Sequence, residues 1–129
     1  MKRRAVRAAI GLPGVREYID RHYARPLTID RLATLAGLSP FHFIRAFRAA
    51  AGLTPHQYLR NRRIERAKEL LVTTPLPVTE ICDAVGFQSL GSFSSLFRRV
   101  TGETPAAYRS RRRRAPVIPG CFIRMYRAD

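Results

Sequence analysis

Apolar residues recur along this chain at helical spacing, in short runs closed by glycine or proline. Val15, Tyr18, Ile19, His22 and Tyr23 share one face of a first amphipathic stretch. Thr28 is placed to cap a second, with Leu32, Leu35 and Ala36 turned inward, and Gly37 stands where a left-handed C-terminal residue is wanted. Ser39 and Pro40 then read as the cap and first position of a third helix, whose core stripe is Phe43, Ala46, Phe47 and Ala50. Thr54-Pro55-His56-Gln57 is a capping box, and the helix it opens runs to about Leu71. Its apolar positions are Tyr58, Leu59, Ile64, Ala67, Leu70 and Leu71. No strand pattern is found between residues 14 and 110, so the chain is predicted to be all-α, with about seven helices.

The pattern also repeats. Gly37-Leu38-Ser39-Pro40-Phe41-His42-Phe43 returns as Gly86-Phe87-Gln88-Ser89-Leu90-Gly91-Ser92-Phe93, with one extra residue in the second turn. Both copies close alike, Gly52-Leu53-Thr54-Pro55 against Gly102-Glu103-Thr104-Pro105, and Tyr58 matches Tyr108. The second core stripe is Phe93, Leu96, Phe97 and Val100, after Ile81 and Val85. Each copy is a short helix, a glycine turn and a second helix, which is the helix-turn-helix pattern. The chain therefore divides into a basic arm (1–12), a first helix-turn-helix subdomain (13–55), a linker helix (56–72), a second subdomain (73–110) and a basic, apolar tail (111–129).

Charge narrows the function. The 24 Lys and Arg against 9 Asp and Glu give a net charge of +15, and 22 of the cations are arginine, the side chain suited to phosphate and guanine. Residues 73–108 hold two cations and three acids, so the second subdomain is electrostatically weak. Such a charge points to a polyanion, whether DNA, RNA or an anionic membrane surface, and does not choose between them. His22, His42 and His56 fall on separate elements, and Cys82 and Cys121 form no ligand pair, so no metal, cofactor or catalytic site is expected. The cysteine usage fits a reducing cytosol, and Cys82 reads as a buried, inert thiol. No run of about 18 apolar residues exists to cross a membrane, and the short apolar run after Met1-Lys2-Arg3-Arg4 does not make a secretion signal.

With both turns, the two Gly-x-Thr-Pro-x-x-Tyr stretches, Arg63-Ile64-Glu65-Arg66-Ala67-Lys68-Glu69-Leu70-Leu71 and Ile81-Cys82-Asp83-Ala84-Val85-Gly86-Phe87, residues 13–110 resemble the DNA-binding domain of AraC/XylS-type bacterial transcription regulators. The resemblance implies a seven-helix domain that sets two helix-turn-helix units in successive major grooves of double-stranded DNA. The chain is then either the short, stand-alone type, which binds as a monomer and contacts RNA polymerase, or the DNA-binding part of a larger protein. A cytoplasmic, nucleoid-associated activator is what the family implies. Relatives that carry DNA alkyl-transfer chemistry need a metal-bound cysteine cluster, for which this sequence has no match.

On the first recognition helix the face opposite the core, assigned to base readout, is Phe41, Ile44, Arg45 and Arg48. Arg45 is suited to fork onto guanine O6 and N7, and Phe41 and Ile44 to meet thymine methyls; alternatively the two apolar groups pack against a neighbouring helix. His42 reads as half-buried, with a phosphate hydrogen bond as a second role. On the second helix the outward set is poorer: Gln88, Leu90, Ser94 and Ser95 for bases, where family members more often carry an arginine in place of Ser95. Phosphate contacts are assigned to Ser39, His42, Arg62, Ser89, Arg98, Arg99, Arg111 and Arg112. Arg109 and Arg111 to Arg114 either bind phosphates or form a solvated helix extension. The first unit should thus dominate base readout at an asymmetric site. The rival reading is a polyanion binder without sequence preference, acting on nucleoid DNA or RNA.

Overall fold

The structure, a computed structural model, describes residues 9–114. Seven helices and no strand are found among the described residues: α1 (Gly11–His22), α2 (Ile29–Ala36), α3 (Pro40–Ala51), α4 (Pro55–Thr73), α5 (Val78–Ala84), α6 (Leu90–Thr101) and α7 (Pro105–Arg114). The all-α expectation holds, and the chain divides at Arg63/Ile64, inside α4, into two compact units.

In the first unit α2 begins at Thr28, whose hydroxyl accepts from the Arg31 amide at 3.1 Å. It ends at Gly37, with φ +79°, a conformation that a Cβ would strain. Ser39 caps α3 by accepting from the His42 amide at 3.2 Å, with Pro40 in the first turn. The core consists of Val15, Ile19, Leu32, Ala33, Ala36, Phe43, Phe47 and Leu59. Phe43, Phe47 and Tyr58 stack edge to face at 5.7 and 5.6 Å between centroids. α4 starts with the full reciprocal box: Gln57 N–H donates to Thr54 Oγ1 at 3.2 Å, and Thr54 N–H donates to Gln57 Oε1 at 3.0 Å. It extends two residues past Leu71 to Thr73, whose hydroxyl turns back to the Glu69 carbonyl.

The second unit repeats the construction. Phe93, Phe97 and Tyr108 stack at 5.7 and 5.4 Å, and Ser89 accepts from the Ser92 amide at 3.1 Å. Ile64, Ala67, Leu71, Ile81, Cys82, Val85, Phe93 and Phe97 are buried. The turns match through Gly86 and Phe87, whose amides bond Asp83 and Cys82 carbonyls as those of Gly37 and Leu38 bond Thr34 and Ala33. The extra residue is therefore Gln88, which stands exposed just before the cap. Buried Cys82 has its thiol pushed up by burial first and by Asp83 second, and donates weakly to the Phe87 carbonyl.

Two details differ from the sequence pattern. Ala50 and Val100, placed in the core stripes, are exposed; in the last turn of α3 it is Ala51 that packs against the first core. Ala33 is buried in the first core while Leu35 is only half-buried. No helix of the described residues is long and apolar enough to cross a membrane.

Candidate nucleic-acid interface

The solvent face of α3 is held in place from behind. Phe43 and Phe47 are fully buried, so the side chains one residue to either side of them have fixed directions. Phe41 projects outward and is 70% exposed. Arg45, one turn on, lays its guanidinium over the Phe41 ring at 5.5 Å from the centroid, a cation–π contact. Arg48 and His42 are exposed on the same helix, so His42 is not the half-buried histidine expected. Ile44 is half-buried and packs against the first core, which corrects its placing on a fully outward face: at this position the apolar arc is wider than the two phenylalanines. Ser39, Phe41, His42, Arg45 and Ala46 bound an open depression at the start of α3.

α6 offers the same scaffold with different side chains. Residue by residue, positions 91–100 repeat the burial classes of positions 41–50. Where α3 carries Phe41, His42, Ile44 and Arg45, α6 carries Gly91, Ser92, Ser94 and Ser95. Ser95 is exposed, Ser94 half-buried, and Leu90, at the first helical position, is 44% exposed. Arg98 matches Arg48, and Arg99 adds a second exposed cation. Ser89 is committed to its cap.

The remaining expected phosphate ligands already have partners within the protein. Arg62 reaches Asp20 at 3.5 Å and lies over the Tyr23 ring at 5.0 Å. Asp20 also accepts from the Tyr58 hydroxyl at 3.0 Å; burial, then this bond, raises the phenol above its ordinary range. Arg111 forks onto Glu103; the bond holds the Glu103 carboxyl below the usual carboxylate range and raises the guanidinium. Arg112 lies over the Tyr108 ring at 4.6 Å. A phosphate approaching Arg62 or Arg111 competes with a carboxylate, whereas Arg45, Arg48, Arg98 and Arg99 have no such rival among the ion pairs described.

Two arginines do work that sequence patterns do not signal. Arg63 donates from Nε to the Tyr23 carbonyl at 2.6 Å and from Nη2 to that of Arg25 at 2.9 Å, tying α4 to the end of α1. Arg109, one of the cations offered to phosphate, donates to the carbonyls of Leu71, Thr74 and Leu76 at 3.0, 3.1 and 2.6 Å, and Arg113 joins it on Thr74. Burial lowers both Arg63 and Arg109 from the ordinary arginine range, and Arg113 lowers Arg109 further. Among the described residues no cluster of His, Cys, Asp and Glu could hold a metal ion.

Residues 32–111 match a family model described as a helix-turn-helix domain. The chain is 34% identical over 91 residues to the probable transcriptional regulator LumQ of Photobacterium leiognathi, which covers 70% of this chain and 37% of LumQ. It is 39% identical over 95 residues to the regulatory protein SoxS of Salmonella typhimurium, covering 74% of this chain and 89% of SoxS. The chain thus spans little more than a third of the longer of these two relatives and most of the shorter. Among solved structures it is similar to the DNA-binding domain of the global transcriptional factor AdpA in complex with a target DNA: TM-score 0.77, 34% identity, covering 83% of this chain and 97% of that one.

Proposed function

The chain belongs to the AraC family of helix-turn-helix DNA-binding transcription regulators, and on that premise we propose that it recognises an asymmetric site in double-stranded DNA, with α3 supplying most of the base readout. Units 13–55 and 73–110 are the two readers in this proposal. The observation that carries it is the matched burial of α3 and α6 beside their unmatched side chains. One scaffold presents Phe41, Arg45 and Arg48; the other presents Gly91, Ser95 and Arg98. An arginine fork discriminates guanine by about 1–3 kcal/mol, and a serine hydroxyl accepts either role and discriminates little. Arg98 and Arg99, with His42, then serve phosphates, positioning the protein without specifying sequence. On this reading the protein acts as an activator at bacterial promoters, in contact with RNA polymerase, as a monomer, through DNA rather than by any catalysis of its own.

Selection of bound duplexes from a random library at moderate salt tests it. The expected result is a non-palindromic site, sharper in one half, that loses its sharp half in an Arg45→Ala variant. Equally sharp halves overturn the dominance of α3. No enrichment, with binding that fades steeply as salt rises, leaves a polyanion binder without sequence preference.

A further inference from the structure

Phe41 and Arg45 stand one turn apart on the open face of α3 and touch each other, the guanidinium carbon 5.5 Å from the ring centroid. Each group has its own major-groove preference: guanidinium for O6 and N7 of guanine, the apolar ring for the C5 methyl of thymine. One base pair cannot satisfy both, since a T·A pair carries no guanine edge. Base pairs stack about 3.4 Å apart. A guanidinium that stays stacked on the ring while forking onto guanine leaves the ring over the next base pair, and reading two steps away requires the stack to open.

We infer that Phe41 and Arg45 act as one reading unit for a 5-methylpyrimidine and a guanine on directly neighbouring base pairs. The feature read beside guanine is the methyl group, which thymine shares with 5-methylcytosine, so methylation of a cytosine at that position strengthens the site. Phe41 has a second role within the pair. A free arginine side chain has many rotamers to lose on binding; with its guanidinium stacked on the ring, part of that freedom is given up before DNA arrives. Phe41 is thus a positioning residue for Arg45 as well as a contact. The inference rests on the DNA-binding reading above and narrows it to a dinucleotide chemistry.

The test uses the full chain and the duplex it selects, prepared in four forms with thymine, uracil, cytosine or 5-methylcytosine at the position beside the guanine contacted by Arg45. Removing the thymine methyl as uracil is expected to weaken binding about three- to fivefold, the loss of one well-packed methyl. 5-Methylcytosine should recover a similar factor over cytosine. Phe41→Ala removes the methyl preference and also weakens guanine preference, which an independent contact would leave intact. Phe41→Leu keeps the methyl preference, since leucine is apolar, but weakens guanine preference, since the cation–π stack is gone. Phe41 is 70% exposed, so neither variant removes core packing, and circular dichroism verifies their folding. A selected site whose guanine and thymine are not neighbours, or a duplex in which uracil binds as thymine does, overturns this inference and leaves the regulator reading standing. No enrichment at all overturns both.

Discussion

Arg45 and Ser95 occupy one position on two copies of one helix, each exposed and each one turn before an exposed arginine-flanked segment, so exchange between them isolates the side chain from its setting. Arg45→Ala should flatten guanine preference in the sharp half of the binding site by about 1–3 kcal/mol, measured as the affinity ratio of cognate and single-substituted duplexes. Ser95→Arg should sharpen the weak half by a comparable ratio, and an unchanged weak half would show that α6 does not reach base edges. Cys82 is the opposite kind of residue: buried, with a thiol pushed up by burial, it serves the core.

At the scale of the element, the arginine clamps decide how firmly each unit is closed. Arg109 binds three carbonyls at and beyond the end of α4, and replacing it with methionine should lower the stability of the second unit by about 1–3 kcal/mol in urea unfolding, since charge-assisted bonds are lost and acceptors left open. Glu103 and Arg111 add a pH-dependent link. The Glu103 carboxyl is depressed in the folded state, so the stability it contributes is complete above the ordinary carboxylate range and is lost as pH falls through the depressed value. Glu103→Gln should therefore flatten the acid limb of the unfolding midpoint against pH while changing little of its slope near neutrality. Elements were legible in the sequence wherever their signals are local. Thr28, Ser39 and the Thr54–Gln57 box act within three residues of themselves and all cap as read, and Ser89, assigned to phosphate, caps in the same way. The clamps were not legible, because Arg63 and Arg109 bond residues 33 to 40 positions away, and their acceptors are carbonyls, which any residue type supplies. For the same reason Arg109 looked like one more cation for phosphate. Ile44 was misplaced because periodicity gives the direction of an apolar face, not its width.

For the whole molecule, net charge of +15 does not translate into fifteen phosphate contacts. Each phosphate neutralised on duplex DNA adds about 0.9 to the slope of log affinity against log salt. Arg98→Ala should lower that slope by about 1, whereas Arg109→Met, whose guanidinium is occupied internally, should leave it unchanged; equal losses would place Arg109 on the DNA. The carbonyl acceptors of the clamps carry one more consequence. A structural arginine paired with a glutamate stabilises the fold by surrendering its charge to a neighbour, and every such pair dims the field the protein projects into solution. Arg109 is anchored to neutral acceptors instead, so the second unit is cemented while the cation still counts toward the long-range attraction that draws a polyanion in and quickens encounter.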